Sequence, residues 1–157
     1  MKGRWWLTHG AAVAVTVAVI LYGHDAIVGD RARLPSPTLT PGDVLTTEVS
    51  IICASGYAAS VRNVSTATAN AVLAEYGYYR RPPDIEIDHL VPLELGGSND
   101  IKNLWPEPGS PRPGYREKDR VENAAHRAVC SGRMTVAHAQ VAIAKDWVAL
   151  GRELKVR

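Results

Sequence analysis

The sequence predicts an α+β domain behind an N-terminal apolar segment. Three observations predict it. Ile85–His89 alternates apolar and acidic residues with the period of a strand. Tyr115–Cys130 and Val136–Leu150 repeat their apolar residues with the period of a helix. Lys2 and Arg4 precede an almost uncharged run through Tyr22. At 157 residues, 46% hydrophobic and 22% charged, the chain suits one globular domain. The formal charge of +2 resides in the leading segment. Beyond Leu34, 14 basic residues balance 14 acidic ones. No overall basic field argues for nucleic acid, so any such claim rests on a site and on local clusters.

Residues 1–26 read as a signal peptide or a membrane anchor. The run of about 18 apolar residues lies between the two lengths. The absence of a clean Ala-x-Ala cleavage signal favours an anchor, and Trp5-Trp6 suits a membrane interface. Either way the positive-inside rule sends the rest of the chain out of the cytoplasm. The expected location is periplasmic or extracellular, with a membrane contact if the segment is retained. Residues 27–46, with Pro35, Pro37 and Pro41, read as a linker. Residues 47–157 form the domain. Its two cysteines, Cys53 and Cys130, predict one disulfide in an exported chain.

Within the domain, Thr47–Cys53 reads as a strand. Ser65 caps an Ala-rich helix over 66–76, which Gly77 ends. Pro92 makes the segment after His89 an edge or irregular piece. Gly96-Gly97 turns the chain, and 101–105 can pair back. The Pro- and Gly-rich residues 106–114 read as a loop. A helix follows over 115–130. Thr135 caps the last helix, whose stripe of Val136, Ala139, Ile143, Trp147 and Leu150 is core and whose end is Gly151.

Candidate chemistry falls in two places. On the helix 115–130, Asp119, Glu122, Asn123 and His126 stand at i, i+3, i+4 and i+7 and share one face. Asp88 and His89 end the strand. A carboxylate can hold a hard divalent ion, and a neutral imidazole beside it can take a proton from water. Arg112, Arg116, Lys118 and Arg120 cluster at the start of the helix and can meet phosphates. No pattern here reads bases, so little sequence preference is expected.

The run Asp-His-x-x-Pro-x-x-x-Gly-Gly-x-x-x-x-x-Asn-Leu, from Asp88 to Leu104, resembles the motif of the HNH endonucleases, which are ββα-metal nucleases. The wider stretch 50–148 resembles a group of small exported bacterial proteins with that signature. It includes Ile52–Arg62, Lys118–His126 and Ala139–Trp147. The resemblance implies a ββα-metal core with additional helices, hydrolysing phosphodiester bonds of DNA, expected to be double-stranded, with one divalent ion. Mg²⁺ is the first choice, with Mn²⁺, Zn²⁺ and Ni²⁺ as alternatives. It implies that His89 is the general base, that Asp88 is a metal ligand, and that Asn103 fixes the hairpin loop and orients His89. The third motif residue would stand about nine residues after Asn103. Arg112 stands there and cannot bind a cation. The remaining ligand is therefore expected among Asp119, Glu122, Asn123 and His126. A hydrolase acting on RNA and a non-catalytic binding module are the competing readings. No protein partner is implied.

Overall fold

A computed structural model describes residues 34–156, and the segment read as leader or anchor lies outside them. Among the described residues no helix is long and apolar enough to cross a membrane. Among the described residues the architecture is α+β: five α-helices and one two-stranded antiparallel sheet. The elements are α1 (Val49–Ile52), α2 (Tyr57–Val61), α3 (Thr66–Glu75), β1 (Ile85–His89), β2 (Leu104–Pro108), α4 (Tyr115–Cys130) and α5 (Val136–Glu153). Short 3₁₀ turns at Leu93–Leu95 and Ile101–Asn103 lie between the strands.

The two strands pair so that Glu86 faces Glu107, Asp88 faces Trp105 and His89 faces Leu104. Alternation then divides the sheet. Glu86, Asp88, Trp105 and Glu107 share one side, and His89 lies on the other. The core joins α4 and α5 to the loop between the strands. It contains Val91 and Leu95 from that loop, Val121, Ala125 and Val129 from α4, and Ile143, Trp147 and Leu150 from α5. The stripe read along α5 is buried throughout.

Four expectations are corrected. Thr47–Cys53 is no strand; Val49–Ile52 is one helical turn in which only Ile52 is buried. The extended pairing falls just before it: Val44 bridges Gly97, and Leu45 donates to Gly96 O at 2.8 Å. Residues 106–108 belong to β2, because Pro106 and Pro108 need donate nothing at the edge of a two-stranded sheet. α5 passes through Gly151 to Glu153. Gly151 is a point of close helix approach, where a Cβ would stand 2.8 Å from Val121. α5 also breaks at Asp146, whose Oδ1 accepts from Ala149 N at 2.8 Å and caps the second part.

The fourth correction concerns residues 34–46, expected as linker. They lie on the domain as a strap. Thr40 is buried and donates to Leu104 O at 2.9 Å, while its hydroxyl also meets Tyr76 Oη at 2.7 Å. Gln140 of α5 donates to both Thr46 O (2.9 Å) and Leu95 O (2.8 Å), so one amide holds the strap and the loop together.

The expected disulfide is present: Cys53 and Cys130 are bonded, 77 residues apart in sequence. It ties the end of α4 to the residue after α1. Closing a loop of that length stabilises the fold by about 4 kcal/mol in the chain-entropy account. Reduction with a phosphine, or replacement of both cysteines by Ala, is expected to lower the urea unfolding free energy by about 2–4 kcal/mol. Identical unfolding curves with and without reductant would count against this.

Candidate active site around Asp88, His89 and Lys118

The loop that carries the site is built around Asn103, which has no exposed surface. Its Nδ2 donates to Val91 O and Ser98 O, both at 2.9 Å. Its Oδ1 accepts from Val91 N at 2.9 Å and from Asp43 N at 3.3 Å. The whole amide is thus used in stapling the loop to itself and to the strap. Gly96 and Gly97 make the turn. Gly96 has φ +82°, and a Cβ on Gly97 would fall 1.8 Å from Val91 O. Of its two expected tasks Asn103 performs the first, fixing the loop; its side chain makes no bond to His89.

Asn99 holds the His89 ring instead. His89 Nε2 lies 3.1 Å from Asn99 Oδ1. The orientation of that amide is set by two backbone groups: Asn99 Nδ2 donates to Val61 O at 2.7 Å, and Asn63 N donates to Asn99 Oδ1 at 3.1 Å. An oxygen that only accepts requires a protonated Nε2 on the histidine. The lone pair of His89 is therefore on Nδ1, which makes no hydrogen bond to the described residues. Burial, opposed by the bond to Asn99 and by Asp88, lowers the His89 pKa. The ring is neutral at neutral pH, as a base must be before it accepts a proton.

On the other side of the sheet stands Lys118, whose side chain is fully buried. Its Nζ donates to Asp88 Oδ2 at 2.6 Å and to His89 O at 2.7 Å, and it pairs closely with Glu122 Oε1. Glu107 Oε2 is 3.7 Å away. Burial alone would lower the lysine's pKa, but Asp88, Glu122 and Glu107 more than offset it and raise the pKa well above the ordinary value. Asp88 is held low because Lys118 and its hydrogen bonds outweigh the opposing effect of burial. Glu107 is pushed by burial to about 10, so it is neutral. Burial brings Glu122 to about 7 despite Lys118. The cluster therefore holds one ammonium, one carboxylate, one neutral carboxyl and, in Glu122, a carboxyl raised well above its ordinary value.

The helix face expected to supply ligands is divided. Glu122 turns inward to Lys118. Asp119 stays exposed, and its carboxyl is raised first by burial and then by the charge of Asp88. Asn123 is exposed, and its amide donates to Asp119 O of its own helix at 2.7 Å. His126 lies away from Asp88. Its Nε2 is 3.3 Å from both Cys130 Sγ and Ile52 O, and its Nδ1 is 4.0 Å from Glu94. Among the described residues, Cys53, His126 and Cys130 are the one group of three such ligands whose atoms lie within 4.8 Å of one another. They could hold a metal ion, but with the sulfurs joined neither is a thiolate, so this set opens only on reduction.

A divalent ion at Asp88 must be judged by the donors present. The enclosed oxygens of Asp88 and Glu122 already surround an ammonium, and a second cation there would meet its repulsion. The open side is different. Glu86 is raised first by burial and then by the charges of Asp88 and Asp119, against the opposing charges of Lys118 and Arg116. Such a hard, all-oxygen set suits a hydrated Mg²⁺ or Mn²⁺, which needs only one or two carboxylates, and the three are not gathered within 4.8 Å of one another. It lacks the imidazole and thiolate that favour Zn²⁺.

The basic cluster is altered as well. Lys118 is interior and cannot meet a phosphate on the surface. Arg112 and Arg120 both pair with Glu117, and Arg116 lies 3.8 Å from Asp84. One sequence signal could have found Lys118: it extends the buried row of Val121, Ala125, Ala128 and Val129 on α4. Asn99 carried no signal beyond that of a turn residue.

Replacing Lys118 with Met is expected to destabilise the domain by about 3 kcal/mol, since it leaves Asp88 without its partner. Urea unfolding at neutral pH measures this, and a loss near zero would refute the keystone role. Glu107 makes a second prediction. Its folded pKa of about 10 exceeds its ordinary 4.5, so its contribution is complete below 4.5 and declines as pH rises towards 10. Glu107→Gln should therefore gain stability relative to wild type between pH 5 and 9, as read by urea midpoints. Parallel pH profiles would exclude the assignment. No protein-family model, curated protein or solved structure matches the chain.

Proposed function

We propose that the domain is an HNH-type phosphodiester hydrolase that cuts DNA with little sequence preference. The observation that carries this reading is the fixed tautomer of His89. Asn99 Oδ1 accepts a hydrogen bond from Nε2–H and so leaves the lone pair of the neutral ring on Nδ1, on the residue next to the ionised Asp88. A strand–loop–strand–helix order supports it, with the loop stapled by a buried asparagine and α4 returning to the end of β1.

In this mechanism His89 Nδ1 accepts the proton of an attacking water. Asn99 holds the ring and stabilises the imidazolium as it forms, because Nε2–H already points at a carbonyl oxygen. Lys118 keeps Asp88 ionised and holds the His89 carbonyl, which sets the backbone at the junction of the two residues. Asp88 and Asp119 would hold one hydrated divalent ion, Mg²⁺ by preference. When bound, the ion supplies polarisation of the phosphate and stabilises the leaving oxygen. The disulfide accords with an exported, oxidising location.

A non-catalytic binding module is the second reading, favoured by one observation: Lys118 already neutralises Asp88. Nicking of a supercoiled plasmid separates the two. Wild type with Mg²⁺ or Mn²⁺ should convert it to open circle, and His89→Ala should be slower by about 10²–10⁴-fold. Chelation with EDTA should stop the reaction. Wild type that is folded yet inert with either ion would favour the binding module. Equal rates for wild type and His89→Ala would remove the histidine as base.

A further inference from the structure

We propose that Arg62 is the phosphate-binding cation of this site, receiving a backbone phosphodiester oxygen of DNA beside His89. The inference rests on the hydrolase reading for its substrate class, but its geometry is independent of that reading. Val61 and Asn63, the residues on either side of Arg62, are both bonded to Asn99, at 2.7 Å through Val61 O and 3.1 Å through Asn63 N. Asn99 is also the residue that holds the His89 ring. One amide therefore fixes the backbone under Arg62 and the base together.

The side chain is exposed, and no carboxylate among the described residues lies within ion-pair distance of it. That distinguishes it from Arg112, Arg116 and Arg120, whose charges are shared with Glu117 and Asp84. The other basic side chain at this site, Lys118, is enclosed and already surrounded by carboxylates. An exposed guanidinium whose backbone position is fixed is suited to bidentate capture of phosphate oxygens.

The test is equilibrium binding of a short fluorescein-labelled DNA duplex to the full-length chain in EDTA, followed by anisotropy. Wild type, Arg62→Ala, Arg62→Lys and Lys145→Ala are compared between about 50 and 200 mM salt. Lys145 is an exposed cation on α5 that controls for diffuse attraction. Arg62→Ala should weaken binding about tenfold and reduce the salt slope by about one, while Lys145→Ala changes little. Arg62→Lys should fall between them. Unchanged binding by Arg62→Ala, equal losses for Arg62→Ala and Lys145→Ala, or no binding by wild type would each overturn the proposal. The hydrolase reading fails separately. An inert wild type whose binding still depends on Arg62 removes the hydrolase and keeps the cation. An active wild type whose KM is unchanged by Arg62→Ala does the reverse.

Discussion

A single enclosed ammonium joins the two halves of the site. Lys118 leaves α4, crosses the core and ends among Asp88, Glu122, Glu107 and the carbonyl of His89. A charge without exposed surface is tolerated only where it is paired and its hydrogens are all accepted. The end of β1 provides that arrangement and α4 supplies the fourth side through Glu122. The pairing thereby selects one register of helix against sheet. Sliding α4 by a single residue would leave both the lysine and Asp88 without partners. Such clusters often add less stability than apolar packing of equal volume. Their value lies in excluding alternative packings, and here the packing they select is the one that sets Asp88 beside His89.

The same cluster gives the two sides of β1 different electrical character. On the Lys118 side, charge is concentrated and mostly compensated: Glu107 is neutral and burial raises Glu122. On the His89 side there is a neutral ring, a fixed amide and one unpaired guanidinium. Adjacent strand residues point to opposite faces, which at first separates Asp88 from His89. The end of the strand resolves this. Beyond His89 the chain leaves the sheet, and Leu90 N bonds Asn103 O at 2.7 Å. Both residues are then at the rim where the sheet stops.

Much of this was legible in the sequence where the signal was local. The helix 115–130 has two chemically distinct faces. The capped helices begin at Ser65 and Thr135 because each hydroxyl accepts from a backbone N–H three residues on. The cysteines offered one pairing. What escaped was set by distant contacts. Thr47–Cys53 has the composition of a strand, but the chain pairs with Gly96 and Gly97 three residues earlier and has no second edge to offer. Lys118 read as a surface cation because its partner Asp88 lies 30 residues away. Asn99 went unmarked because the groups that orient it, Val61 and Asn63, lie 38 and 36 residues upstream. The four polar residues on one face of α4 were correctly grouped by spacing, yet they go to different neighbours. Periodicity gives direction from the helix axis and says nothing about which neighbour is met along its length.

Gln140 carries an implication for how such a motif can be moved or cut down. It binds the strap and the inter-strand loop at once from the C-terminal helix, while Asn103 reaches the strap at Asp43 from within the loop. The strand–loop–strand segment is thus clasped by chain from both before and after it. It is not a portable cassette. Grafted alone onto another scaffold, it would lose the two clasps that hold its turn, and a minimal unit must extend from the strap to α5.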